Sequence, residues 1–163
     1  MHRVEDNFLP YDFYTQVRSE IIDGRMPFVF SGMVADSEDS GQNSWYFVHQ
    51  IFLHKEVQSQ YYQSILLPIL EKLDAKAVFN AKVNLYPSTE KIYCHGLHSD
   101  QNFDVKSAVI NFTTCDGYTY LKDEDEIVKS VENRCIHFNS KNLHHSTTTT
   151  DSPIRVTMNI NYF

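Results

Sequence analysis

From Ala77 to the end of the chain, apolar and polar residues alternate with a period of two. Phe79, Ala81, Val83 and Leu85 share one face of an extended segment, and Asn80, Lys82, Asn84 and Tyr86 share the other. Further strands are expected at 106–113, 117–122, 126–132, 134–139 and 154–162, with Asp123 to Asp125 as an acidic hairpin turn. Ahead of this region the period turns helical twice. Residues 7–24 carry Pro10 near their start, Phe13, Val17 and Ile21 at helical spacing, and Gly24 as a stop. Glu56 to Leu73 repeats Val57, Tyr61, Ile65, Ile69 and Leu73 every four residues, and Pro68 inside it predicts a kink or an early end near Leu67. Residues 27–34 and 45–53 read as strands, and the polar ADSEDSGQNS between them reads as a surface loop or a lid. Helices first and strands afterwards predict an antiparallel β core with helices packed outside it. One domain over 1–163 is expected, with 1–76 as a helical lead-in that holds the first strands and 77–163 as the β core.

Composition narrows the class of protein. Hydrophobic residues at 42% and charged residues at 21% describe a folded globular chain. A formal net charge of -7 argues against a broad phosphate-binding face and so against a nucleic-acid partner. The absence of an 18-residue apolar run, and of an apolar core in MHRVEDNFLP, predicts a cytoplasmic protein with no membrane segment. Cys94, Cys115 and Cys135 contain no CxxC pair, which fits reduced, mostly packed thiols and neither a disulfide framework nor a cysteine zinc site.

The chemistry concentrates in histidines. In His98-Ser99-Asp100 the outer two residues project from one face of an extended segment, and His144 follows 44 residues after Asp100. Two imidazoles and a carboxylate on one side of an ion leave its opposite positions open, as an oxygen-activating Fe(II) site requires. Alone, a His-x-Asp pair fits a surface hydrogen-bonded pair better than a metal site. The last strand adds weight: Ile154, Val156, Met158, Ile160 and Tyr162 alternate with Arg155, Thr157, Asn159 and Asn161. The polar set is either the solvent face of a half-buried strand or the lining of a barrel mouth, with Arg155 and Thr157 turned towards a bound anion. A guanidinium fork suits a carboxylate because it donates two parallel charge-assisted hydrogen bonds.

The segments VNLYPSTEKIYCHGLHSD, SAVINFTTCDGYTYL and NRCIHFNSKNLHHSTTTTDSPIRVTMNINYF, in this order, resemble the catalytic core of the 2-oxoglutarate and Fe(II)-dependent dioxygenases, in particular small bacterial and viral members related to prolyl hydroxylases. The resemblance implies a double-stranded β-helix, or jelly-roll, with N-terminal helices packed on the sheet. It implies that His98, Asp100 and a later histidine bind Fe(II) and that Arg155 pairs with the far carboxylate of 2-oxoglutarate, with Thr157 beside it. Phe138 plus six points to His144 as the later histidine, while His145 also suits the spacing to Arg155. Asn111 falls where relatives carry a tyrosine for the same carboxylate, and Tyr86 is either a pocket residue or a core tyrosine. His95 is expected to orient the site, His137 to be a packed or outward strand residue, and Gly117-Tyr118-Thr119 to be scaffold.

The implied reaction couples decarboxylation of 2-oxoglutarate to succinate and CO2, with O2 as oxidant and ascorbate as a supporting reductant, to hydroxylation of a C–H bond. A metal-dependent hydrolase and a non-catalytic metal- or ligand-binding jelly-roll are the alternatives. A small molecule, an amino acid, and a peptide or protein side chain are all compatible substrates. Residues 34–44, 87–97 and 45–49 are expected to choose among them, and oligomeric state is not legible.

Overall fold

A computed structural model describes residues 2–34 and 44–163. Strand β1 covers Arg3–Glu5, and helix α1 covers Tyr11–Ile22 after Pro10, whose missing N–H costs nothing at a helix start. Tyr14, Val17 and Ile21 form the buried stripe of α1. Strands β2 (Val29–Ser31) and β3 (Tyr46–Leu53) pair antiparallel, and residues 35–43, which hold most of the expected loop, lie outside the described residues.

The second helix begins later than its apolar spacing predicts. His54 and Lys55 both adopt positive φ (50° and 71°), which closes a two-residue hairpin and turns Glu56–Val57 back onto β3 as strand β4. The helical run starts at Tyr62, as a π-helical turn over Tyr62–Leu66, and continues as α2 over Leu67–Lys72. Pro68 stands in the first turn of α2, so the expected break near Leu67 is a change of helical pitch. The wider turn spares the carbonyl that the proline ring would otherwise strike.

The remaining strands are β5 (Val78–Pro87), β6 (Lys106–Asn111), β7 (Tyr118–Leu121), β8 (Glu126–Lys129), β9 (Cys135–Asn139), β10 (His144–Ser146) and β11 (Ile154–Tyr162). A 3-10 turn at Lys122–Glu124, closed by Asp125 at φ 51°, makes the acidic connection from β7 to β8. The larger sheet has the order β1-β9-β6-β11-β5-β3-β2, and the smaller has β10-β7-β8. Antiparallel bridges at Cys94↔Thr147 and His98↔His144 lay the 94–98 segment beside β10. Val109 and Ile136 of the larger sheet meet Leu121 and Val128 of the smaller one, so the two sheets face each other as a jelly-roll. The lead-in is not a separate layer, since β1 to β4 extend the same large sheet.

The principal core lies on the outer face of that sheet. Val156, Met158 and Ile160 of β11, with Ala81 and Val83 of β5, pack against Val17, Ile21, Ile65, Leu66 and Ile69 from the helical segments. The helices therefore cover the apolar face of each long strand. The polar face of the same strands has only the interior between the sheets to occupy. Asn133, at φ 58°, ties the lead-in to the β8–β9 turn by accepting from the Leu9 N–H and donating to the Leu9 carbonyl, both at 2.8 Å.

Candidate active site

His98 and His144 are cross-strand partners: each backbone N–H donates to the other's carbonyl, at 2.9 and 2.8 Å. This pairing stands both imidazoles on the inner face of the smaller sheet, with ring centroids 4.5 Å apart. His98 Nδ1 lies 3.0 Å from the Gly96 carbonyl and His144 Nδ1 lies 2.9 Å from the Asn142 carbonyl. A carbonyl oxygen only accepts, so Nδ1 carries the proton in each ring and Nε2 offers a lone pair. Both lone pairs face Asp100, whose Oδ1 is 3.9 Å from His98 Nε2 and 3.7 Å from His144 Nε2. The ligand atoms of the three residues all fall within 4.8 Å of one another. Two imidazole nitrogens and a carboxylate oxygen thus converge on one point, a donor set that a divalent cation can take.

Asp100 is held by the larger sheet. The Nδ2 of Asn159 and that of Asn161 donate to it at 3.2 and 2.9 Å, and Ser107 Oγ donates at 3.1 Å. Burial works to raise this carboxyl, but His144, the two asparagine amides and His98 outweigh it and leave the pKa below the ordinary value, so the carboxylate is charged at neutral pH. Burial, with His144 beside it, pushes the His98 imidazole down and keeps it neutral. His145 points elsewhere: its ring sits 5.1 Å from Tyr120 and 6.1 Å from Tyr118, outside the cluster.

Arg155 stands at the other end of the same cavity, 0% exposed. Its Nη1 donates to the Thr147 carbonyl and its Nη2 to Thr119 Oγ1, both at 3.1 Å, while Nε has no partner. The guanidinium lies 5.6 Å from the Tyr86 ring centroid. Burial lowers its pKa, and the Tyr86 and Cys115 side chains only partly oppose this. No carboxylate pairs with Arg155 among the described residues. A fully desolvated guanidinium with an unused donor calls for an anion from outside the chain.

The cavity between these two ends has a volume of about 40 Å³ and is partly open to solvent. Thr157 and Tyr86 line it, on paired strands facing inward. Tyr86 Oη accepts from Ser146 Oγ at 3.3 Å, and His95 stacks on the Tyr86 ring at 5.0 Å. Burial, together with Arg155 and its histidine neighbours, pushes the His95 imidazole down to about 3, so it is a neutral packing partner that orients Tyr86. His137, on β9, lies beside Arg3 and Glu5 and is remote from the cavity.

Asn111 lies apart from the cavity lining, although it shares the inner face of β6 and pairs with Thr157. Its Nδ2 donates to the Arg134 carbonyl at 3.1 Å and its Oδ1 accepts from Ser130 Oγ at 2.9 Å. Both ends of the amide are thus engaged by the turn before β9.

Several contributors escaped sequence reasoning. Asn159, Asn161 and Ser107 hold Asp100, and their only trace was the polar face of the alternating strands. Gly117, expected as scaffold, is what lets Arg155 lie flat: a Cβ there would fall 2.6 Å from Arg155 Cδ and 2.7 Å from the Thr148 carbonyl. Gly117→Ala is expected to cost about 1–3 kcal/mol in thermal unfolding, because the carbonyl belongs to the main chain and cannot swing aside. The same substitution should displace Arg155 and weaken binding of any anion there, as a titration would reveal.

No protein-family model matches the chain, and no curated protein matches it in sequence. Solved structures do. A prolyl hydroxylase from Trichoplax adhaerens, in complex with a hypoxia inducible factor oxygen degradation domain peptide, aligns at TM-score 0.71 and 16% identity over 99% of this chain and 83% of that one. An oxidoreductase of the 2OG-Fe(II) oxygenase family from Burkholderia pseudomallei aligns at 0.70 and 11% identity, over 99% and 84%. A Pseudomonas putida prolyl-4-hydroxylase aligns at 0.61 and 18% identity, over 99% and 91%. From its sheet order and these alignments, the chain has the jelly-roll fold of the 2-oxoglutarate and Fe(II)-dependent oxygenases.

Proposed function

We propose that the protein is a 2-oxoglutarate- and Fe(II)-dependent dioxygenase that hydroxylates, or oxidises in a related way, a C–H bond of its substrate. The observation that carries this reading is that a convergent His-Asp-His cluster and a fully buried arginine without a carboxylate partner share one cavity. His98, Asp100 and His144 hold the iron, and Arg155, with Thr157 and Tyr86 beside it, takes the far carboxylate of 2-oxoglutarate. The donor set of two imidazoles and one carboxylate is the facial arrangement suited to Fe(II). When bound, iron, 2-oxoglutarate and O2 supply the oxidising chemistry, with release of succinate and CO2.

The chain's own side chains supply position and charge. Gly96 and Asn142 carbonyls fix the tautomers of His98 and His144, so both Nε2 atoms face the ion without rotating. Asn159, Asn161 and Ser107 keep the Asp100 carboxylate aimed at the same point. The guanidinium of Arg155 fixes one end of the co-substrate at a set distance from the metal, which determines where the other end meets it. A hydrolase has no need for that buried cation. Three free cysteines fit the reducing cytoplasm, and no helix among the described residues is long and apolar enough to cross a membrane.

The test measures succinate from 2-oxoglutarate with Fe(II), O2 and ascorbate, across small molecules, amino acids and peptides. Iron-dependent succinate release supports the reading, and its absence under every condition, together with no 2-oxoglutarate binding, sinks it. Comparing iron content in His144→Ala and His145→Ala decides the ligand register. The first is expected to lose its iron and the second to retain it.

A further inference from the structure

The cavity contains a second side-chain cation, which the reading above does not use. Lys82 projects from the inner face of β5, in register with Asn159, the residue whose amide steadies Asp100. Its Nζ lies 5.8 Å from the Tyr46 ring centroid. Tyr46 stacks on Tyr86 at 5.6 Å, and Arg155 lies over the far member of this pair. Lys82 makes no ion pair with a described residue. Burial works to strip its charge, while Tyr46, Tyr86 and the Asp100 carboxylate outweigh it and leave the pKa above the ordinary value.

The charged side chains that line the cavity are Lys82, Arg155 and Asp100, which leaves one surplus positive charge. A divalent metal raises the surplus to three, and the 2-oxoglutarate dianion lowers it again to one. An uncompensated charge in a largely buried site is costly, so a second anion is expected there. Asn84, two residues along the same face of β5, and Asn159 each carry a buried Oδ1 without a partner. These carbonyl oxygens accept N–H or O–H groups.

We propose that Lys82 binds a carboxylate of the substrate, and that the substrate is a carboxylic acid with a hydrogen-bond donor close to that group. This rests on the function proposed above, because it presumes that 2-oxoglutarate occupies Arg155 and the metal. The substrate then spans from Lys82 and Asn84 towards the metal, with the bond to be oxidised near His98 and its anionic end held off the iron.

The experiment uses the full chain loaded with Zn(II) and saturating 2-oxoglutarate, with acetate and acetamide as probes of equal size and different charge, followed by NMR line broadening. Acetate is expected to bind saturably, about 10-fold or more tighter than acetamide, in line with a charge-assisted hydrogen bond. Lys82→Met should bring acetate down to the affinity of acetamide. Lys82→Arg should keep most of the difference, which shows that a failure of Lys82→Met is not a failure to fold. Equal binding of the two probes by the unaltered protein overturns the proposal, as does acetate binding that survives in Lys82→Met. A drop in 2-oxoglutarate affinity in Lys82→Met, with no acetate site in the unaltered protein, also overturns it, by assigning the cation to the co-substrate. If the unaltered protein binds no 2-oxoglutarate in the loading step, the function itself fails, a result read before either probe is added.

Discussion

Asp100→Ala is expected to empty the protein of iron and to abolish succinate formation. Asp100 is the only anionic member of the cluster, and both Nε2 lone pairs aim at it across 3.9 and 3.7 Å. Loss of a partner that merely orients a metal ligand costs about 10- to 100-fold in affinity, so loss of a ligand should exceed about 100-fold. Asp100→Asn is the sharper variant because it keeps the volume. It replaces one acceptor oxygen by an N–H group facing the Asn159, Asn161 and Ser107 donors, and it removes the charge. Iron stoichiometry after anaerobic reconstitution checks both. Equal iron retention in Asp100→Ala and the unaltered protein would remove the metal centre from the account.

Arg155→Met should raise the 2-oxoglutarate requirement by roughly 10²- to 10³-fold and leave iron content nearly intact, since breaking a buried ion pair costs about 3–5 kcal/mol. The thermal behaviour should invert the usual expectation for a core substitution. Without ligand, the unaltered protein carries a buried guanidinium whose Nε has no partner, so the variant is expected to melt at the same temperature or higher. With metal and 2-oxoglutarate present, the unaltered protein should gain stability by mass action and the variant should not. Arg155→Lys should rescue little, because an ammonium cannot fork onto two oxygens from a site shaped around Tyr86 and Gly117. Unchanged 2-oxoglutarate affinity in Arg155→Met would detach this residue from the co-substrate.

Local pattern carried the strands of the β core, because period two holds wherever one face of a strand differs chemically from the other. All six expected segments after residue 76 contain a strand, although β8 stops at Lys129, short of the predicted 132. The hairpin at His54–Lys55 was illegible because neither residue carries the Asn-Gly signature of its turn, and the apolar spacing of Val57 and Tyr61 continued the helical pattern through it. Strands β1 and β10, each of three residues, are too short to show a period. Their pairing comes from partners 134 residues away, as with Arg3 against His137, or from the neighbouring hairpin, as with His144 against Leu121.

What the residues by themselves determined was a menu of ligands and two unlike faces on each long strand. His98, Asp100 and Arg155 could be named as candidates from residue type and pattern, although a His-x-Asp pair alone also fits a surface pair. Which face of β11 is wet was not readable, since alternation is the same for a solvent-facing strand and for one that lines a cavity. The tertiary structure decided it: the helices cover the apolar face and the smaller sheet closes over the polar one, so Arg155, Thr157 and Asn159 are interior. It also turned the amide of Asn111 away from the cavity and set Lys82 inside it. These assignments depend on which strands become neighbours, and that is settled by burying one continuous apolar surface, a property of the whole chain and of no segment within it.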